Sequence, residues 1–296
     1  MGSRNCIIGA TGYIGKNLAY FLNEKGESIS CYDLSDRGSE PWMKHKALDM
    51  TDLEAVRELD LDYDFIYFFA GLTGTSQGFE DVERYNNVNV IGLSNLLTCM
   101  REKGSKARIL FPSTRLVYKG VARTPLAENA EKEPKTIYAL NKLTCESLLQ
   151  MYSQVFDINY TVFRICVPYG YLLPEGYSYG TIGFFMNKAS KKEDISLFGD
   201  GELRRTFTHV ADICMAMYKA SHLASTNKNI YNIGGEDFSL KEAASIIARK
   251  FEVELSYVDW PALALKIESG DTIFDDTKLK DIIGGYLHYN LSTAKL

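Results

Sequence analysis

Residues 9–15 read GATGYIG, directly behind the apolar run RNCII and directly ahead of KNLAYFLNEKG. The glycines are spaced three and three, and each removes a Cβ where a strand must turn sharply into a helix. Gly9 serves the turn, Gly12 lets an anionic group come against the backbone, and Gly15 allows helix and strand to approach closely. A helix start also offers unpaired amide donors and a favourable dipole. Such a turn is useful in a parallel sheet built from strand and crossover helix. A glycine triplet alone marks no more than a turn. Set between an apolar strand and a helix, it predicts a dinucleotide pyrophosphate site.

The pattern continues along the chain. SISCYD is a second strand ending at Asp33, LEAVREL a helix and DFIYFFAGL a strongly apolar strand. VNVIGLSNLLTCMREKG is helical and ARILFPST is the next strand. After a loop with Pro125 and Pro134 comes a helix containing IYALNKLTCE, and YTVFRICV returns to the sheet. This alternation predicts an α/β fold, a Rossmann-type doubly wound parallel sheet covered on both faces. We expect an NAD-binding domain over residues 1–165 and a smaller mixed α/β substrate domain over 166–296, with an interwoven boundary. In the second part PYGYLLPEGYSYG suits a substrate loop, while TIGFFMNKASKK, DICMAMYKASHLA and SLKEAASIIARKF read as helices.

Composition narrows the function. The chain has 296 residues, enough for a sizeable core, and its net charge of -5 makes no electrostatic case for nucleic acid or an acidic membrane. The six cysteines are scattered among apolar neighbours, the pattern of reduced, buried thiols in a cytoplasmic enzyme. The four histidines share no ligand spacing, so no metal site is expected. No signal peptide is expected, and no apolar run reaches the roughly 20 residues that a spanning helix requires.

Asp33 falls at the end of the second strand. A carboxylate there accepts hydrogen bonds from both ribose hydroxyls and repels a 2'-phosphate, which favours NAD over NADP; Arg37 nearby keeps NADP open. Asp49 reads about equally as a cap to the adenine pocket and as a plain loop aspartate. Tyr138 and Lys142 stand four residues apart on a helix and so share a face. An ordinary tyrosine, pKa about 10, is a poor base at neutral pH. A nearby ammonium and an oxidised nicotinamide both favour the phenolate. Thr114, at the end of ARILFPST, can donate to the same substrate oxygen, and strand alternation sends Ser113 to the opposite face. A bare Y-x-x-x-K pair is common on amphipathic helices. With GATGYIG upstream and the hydroxyl-bearing strand before it, the pair predicts proton transfer coupled to hydride transfer.

The motifs GATGYIG, Asp33, LDMTD, FFAGL, NVNVIG, STRLVY, YALNK, RICVPYG and GDGELRRTFTHVADI follow one another in that order. In this the chain resembles, almost end to end, the extended short-chain dehydrogenase/reductase family, in its nucleotide-sugar epimerase and dehydratase branch. FFAGLTGTSQGFEDVERYNNVNVIGLSNLL is similar to the corresponding stretch of the UDP-galactose 4-epimerases. The resemblance implies NAD across the first domain, a nucleotide sugar in the second, and Thr114, Tyr138 and Lys142 as the catalytic group. It adds Thr11, Tyr13, Ile14, Leu34, Met50, Phe69, Ala70, Gly71, Leu72 and Thr73 to the cofactor lining, with Asn89 as a brace near the active site. On the substrate side it implies Thr73, Thr114, Arg115, Val167, Tyr179, Phe198 and Arg205. Tyr179 and Phe198 read equally as core aromatics, and Arg204 beside Arg205 leaves a surface patch as the alternative. A homodimer through helices near 87–103 and 137–155 is also implied.

The 4,6-dehydratases of this branch carry an acidic pair directly after the threonine. Here Arg115 and Leu116 occupy those places, and leucine cannot transfer a proton. This argues against 4,6-dehydration and against decarboxylation of the UDP-xylose type. The readings left are a 4-epimerase working through a transient 4-keto sugar and an NAD(P)H-dependent reductase of a 4-keto nucleotide sugar. The FFAGL stretch and Asp33 favour the epimerase, and the intact Thr114, Tyr138 and Lys142 oppose a non-catalytic nucleotide binder. Two residues depart from the family pattern. Val167 stands where RxxNxxG carries asparagine, and Glu268 where related chains often have arginine. Valine cannot replace an amide's hydrogen bonds, and glutamate repels a diphosphate in direct contact. A shifted pose, another nucleotide or a substrate without one therefore stays open.

Overall fold

The computed structural model describes residues 2–34, 43, 45–174 and 178–294; Arg37 lies outside them. The first strands are β1 (Arg4–Ile8), β2 (Ser28–Asp33), β3 (His45–Ala47), β4 (Phe65–Phe68), β5 (Arg108–Thr114), β6 (Pro125–Leu126) and β7 (Asn159–Ile165). They are followed by β8 (Val167–Tyr169), β9 (Ile195–Phe198), β10 (Arg204–His209), β11 (Asn229–Asn232), β12 (Glu236–Ser239), β13 (Leu255–Val258) and β14 (Ile273–Phe274). The main helices are α1 (Tyr13–Glu24), α2 (Leu53–Arg57), α3 (Val82–Asn86), α4 (Gly92–Lys103), α5 (Ile137–Phe156), α6 (Gly180–Ser190), α7 (Val210–Ser221) and α8 (Leu240–Phe251).

Seven strands form one sheet in the order β11-β7-β5-β4-β1-β2-β3, every pair parallel. This is the doubly wound sheet expected from the alternation. Its strands read as continuous apolar runs because both faces are covered: Cys6, Ile7 and Ile8 of β1 are all buried. Leu93, Leu96, Leu97 and Met100 of α4 and Leu149 of α5 pack on one face. Leu18 and Leu22 of α1 and Ile213 and Met217 of α7 pack on the other. The chain winds from β1 to β2 and β3 on one side, then crosses to β4 and β5 on the other. A crevice therefore opens at the carboxyl ends of β1 and β4, where doubly wound sheets bind ligands.

Three departures from the sequence pattern shape that crevice. DFIYFFAGL leaves the sheet after Phe68, because the amides of Phe69 and Ala70 both donate to the Ile8 carbonyl, at 2.7 and 2.9 Å. Residues 69–73 thereby become loop, and Phe69, Gly71, Leu72 and Thr73 stand on the crevice wall. The helix expected over VNVIGLSNLLTCMREKG begins earlier, as α3, and passes through a π turn at Asn87–Ile91 before α4. Such turns are rare and cluster at functional sites. YTVFRICV breaks at Cys166, where β8 starts a second sheet of order β12-β10-β8. The chain later returns to the large sheet through β11, and α7 packs against α1.

Beneath the junction of β5, β7 and α5 lies a buried polar network. Arg164 holds Glu146 through Nε (3.0 Å) and Nη2 (2.6 Å), and its Nη1 donates to the Tyr118 hydroxyl at 2.7 Å. Tyr118 in turn donates to Asn232 Oδ1 at 2.7 Å. Removing one partner of a buried pair of this kind costs about 3–5 kcal/mol, so the network fixes β5 against α5. All six cysteines are free and buried. Among the described residues no helix is long and apolar enough to cross a membrane.

Candidate active site

The crevice has a volume of about 650 Å³. Its floor is the glycine turn. Gly9 has φ +87°, and a Cβ there would stand 2.5 Å from the Ala70 nitrogen. On Gly15 a Cβ would stand 2.2 Å from the Gly9 carbonyl oxygen. Gly12 differs, for a Cβ on it meets only the Gly9 oxygen, at 3.4 Å. Its missing side chain leaves room beside the start of α1, a cradle that fits a pyrophosphate. Gly9, Thr11, Gly12, Tyr13, Ile14 and Gly15 all line the crevice, as do Phe69, Gly71 and Thr73 opposite.

Asp33, Leu34, Asp49, Met50, Ala70 and Asn89 do not line it. Asp33 sits behind Thr11, accepting from the Thr11 amide at 2.9 Å and the Leu34 amide at 2.8 Å. A carboxylate offers about four acceptor positions, so two remain for a ribose diol. Asp49 is exposed and closes its own turn, with Oδ1 accepting from the Thr51 amide (2.8 Å) and hydroxyl (2.7 Å). Met50 is buried against the start of α4. Asn89, carried inward by the π turn, clamps the loop at Leu72: its Oδ1 accepts from the Leu72 amide (2.7 Å) and its Nδ2 donates to the Leu72 carbonyl (3.1 Å).

At the other end Thr114, Tyr138 and Lys142 come together. Thr114 ends β5 on the same crevice wall as Tyr138, its hydroxyl accepting from the Leu116 amide at 3.3 Å. Ser113 turns away and donates to Glu146 at 2.5 Å. Thr136 caps α5 by accepting from the Ala139 amide at 3.0 Å, which sets Tyr138 in the first turn. The Lys142 ammonium lies 4.4 Å from the Phe111 ring centroid and 5.8 Å from that of Tyr138. Burial pushes the Tyr138 phenol above its ordinary range and the Tyr179 hydroxyl adds to this, while the Thr114 hydrogen bond pulls it down. Burial also lowers the Lys142 ammonium to about 8. Desolvation thus works against the phenolate-favouring effect expected of Lys142.

On the substrate side Arg115, Leu116, Val167 and Tyr179 line the crevice, joined by Cys166 and Pro168, to which the sequence assigned no role. Tyr179 spans the mouth, its hydroxyl 2.8 Å from Thr73 Oγ1 and its ring stacked on Tyr13 at 5.5 Å. Phe198 and Arg205 lie off the crevice. Phe198 packs on Trp260 at 5.1 Å. Arg205 is buried, its Nη2 paired with Glu268 Oε1 at 2.6 Å and its Nη1 donating to the carbonyls of Arg204 (2.7 Å) and Gly270 (2.6 Å). The guanidinium expected at a diphosphate is therefore occupied by the glutamate that departs from the family pattern. Arg115 and Lys142 are the only charged side chains on the crevice wall among the described residues. A larger, more open groove beside α8 shares no residue with it.

The NAD dependent epimerase/dehydratase family model matches residues 6–234. The chain belongs to this family. NAD is accordingly the cofactor, and the glycine cradle and Asp33 suit it. A putative UDP-glucose 4-epimerase of Methanocaldococcus jannaschii is 27% identical over 248 residues, covering 81% of this chain and 80% of the relative. A UDP-N-acetyl-alpha-D-glucosaminuronate decarboxylase of Bacillus cytotoxicus is 28% identical over 261 residues, covering 83% and 80%. The crystal structure of a UDP-glucose 4-epimerase from Thermotoga maritima with UDP-glucose has a TM-score of 0.86 at 21% identity, covering 98% of this chain and 96% of that one. Likeness at that identity is likeness of fold. Across the family's reactions, what this chain can do depends on the side chains of its own crevice.

Proposed function

We propose that this chain is an NAD-dependent epimerase of a nucleotide-activated sugar, acting at C4 through a transient 4-keto sugar. One observation carries the reading: Thr114, Tyr138 and Lys142 line one crevice, Tyr138 one helical turn from Lys142, and no carboxylate lines the wall among the described residues. The first half of that statement provides proton transfer at a carbinol. The second leaves no carboxylate there to deprotonate C5 or protonate a departing hydroxyl, which agrees with Arg115 and Leu116 standing after the threonine.

Thr114 donates to the C4 oxygen and holds it against Tyr138, and Tyr138 removes the hydroxyl proton as the C4 hydrogen departs. Bound NAD supplies the hydride acceptor and donor, together with the positive charge that favours the phenolate. After the ketone turns in the site, Tyr138 returns the proton. Gly12 leaves space for the pyrophosphate, Asp33 takes the adenosine ribose, Lys142 holds the nicotinamide ribose, and Asn89 keeps the loop at Leu72 in place. On this reading residues 1–165 bind the cofactor, and residues 166–296 close the substrate side through Val167 and Tyr179.

The test follows a panel of UDP-, dTDP-, CDP- and GDP-sugars by NMR, first without added cofactor and then with NADH or NADPH. We expect C4 epimers to interconvert with no external nicotinamide. Turnover only with stoichiometric reduced cofactor and a keto sugar would assign the reductase instead, and no turnover under either condition would remove the proposal.

A further inference from the structure

We propose that Arg115 is the anion reader of the substrate pocket, binding a negatively charged group of the substrate, either a carboxylate on the sugar or a phosphate of the nucleotide. The inference rests on the nucleotide-sugar reading and deepens it. It starts from a charge that the protein leaves uncompensated. Arg115 follows Thr114 in the turn Arg115–Val117 and lines the same crevice. Its Nη1 donates to the neutral hydroxyls of Ser269, at 3.0 Å, and Thr272, at 3.5 Å. Among the described residues it has no carboxylate within ion-pair distance. The nearby acid, Glu268, is already paired with Arg205.

Arg115, Arg205 and Glu268 thus leave one positive charge over, and Arg115 is the member that lines the crevice. Leu116, Val167 and Cys166 stand on the same wall, and hydroxyls are its bonded partners. Burial and the neighbouring Arg205 together lower its pKa to about 10, so the charge stands in a site that disfavours it. A guanidinium carries five donors in a planar fork suited to carboxylate and phosphate, and among the described residues Nη1 alone is engaged. An incoming anion would relieve the desolvation and the repulsion at once. Lys142, the other cation on the wall, stands over Tyr138 and belongs to the proton-transfer group. With Arg205 closed off by Glu268, Arg115 is the cation left to take a substrate anion.

The experiment measures dissociation constants of UDP, UDP-glucose and UDP-glucuronate for the NAD-loaded protein, its Arg115→Met and its Arg115→Lys variants, by calorimetry. We expect Arg115→Met to weaken binding about 10- to 100-fold where a charged hydrogen bond is lost, with Arg115→Lys recovering part of it. A loss confined to UDP-glucuronate assigns the sugar carboxylate, and an equal loss for all three probes assigns the diphosphate. We also expect Arg115→Met to melt no lower than the parent, since a desolvated charge beside Arg205 is removed; this guards against reading misfolding as lost binding. Unchanged affinities in a variant whose parent binds the probes would overturn the inference alone. No binding of any probe by the parent protein would overturn the nucleotide-sugar reading and this inference with it.

Discussion

At the scale of single residues, the proposed chemistry depends on one phenol whose surroundings favour its neutral form. The Tyr138 phenol is pushed up by burial and set in position by the Thr136 cap on the first turn of α5. Replacing it with phenylalanine removes the proton carrier and leaves the glycine cradle and Asp33 untouched. Tyr138→Phe is expected to lower turnover by about 100-fold or more with NAD affinity nearly unchanged, checked by steady-state kinetics beside a cofactor titration. Asp33 permits a second test. Its carboxylate is fixed by the Thr11 and Leu34 amides, and on the proposed reading it takes the adenosine ribose. Asp33→Ala is expected to weaken NAD more than NADP, because the repulsion of a 2'-phosphate disappears along with the ribose contact; the reverse ranking in a binding assay would refute it. These residues were readable because their signal is local: four residues on a helix, one strand end, one glycine turn. Arg205 was not. Its partner Glu268 is remote in sequence, so neither residue alone reveals that they satisfy each other inside the protein.

At the scale of elements, the strand-turn-helix at the start of the chain separates two roles that glycine plays. Gly15 is a packing requirement, since a methyl group there would stand 2.2 Å from the Gly9 carbonyl. Gly12 leaves an opening rather than preventing a collision. Gly15→Ala is therefore expected to destabilise the protein by about 1–3 kcal/mol, the usual cost of overpacking, while Gly12→Ala keeps the melting temperature of cofactor-free protein and loses NAD affinity. Thermal melts and cofactor titrations of the two variants check this; matching melts would contradict the assignment. The long apolar strands and the amphipathic helices were legible because their periodicity spans many residues. The strands β3, β6 and β14 hold two or three residues each, too few for any period to show. The π turn at Asn87–Ile91 was hidden for another reason: its residues keep a helical pattern, and only the inward demand of Asn89 on Leu72 reveals the extra residue in the turn.

At the scale of the whole molecule, the question is what covers the outer face of α5. Leu140, Met151 and Val155 fall on one side of this helix and are exposed, Val155 at 64%, and Ile91 is exposed at the neighbouring π turn. Apolar side chains at these spacings, on the two helices that the family resemblance marks for subunit packing, lead us to propose a homodimer through this face. Exposed aliphatic groups in such a stripe gain roughly 25 cal/mol for each Å² removed from water, and a charge placed among them forfeits that gain and adds a desolvation cost. Val155→Glu is accordingly expected to shift a dimer to monomer in light scattering at micromolar concentration. A parent protein that is already monomeric under those conditions would refute the assignment. The variant also separates assembly from chemistry. Gly12, Thr114, Tyr138 and Lys142 line one crevice within a single chain, and Val155 lies on the opposite end of α5 from Tyr138. The dissociated variant should therefore retain its NAD and its turnover, and a loss of both would mean that the second subunit holds α5, and with it Tyr138, in place.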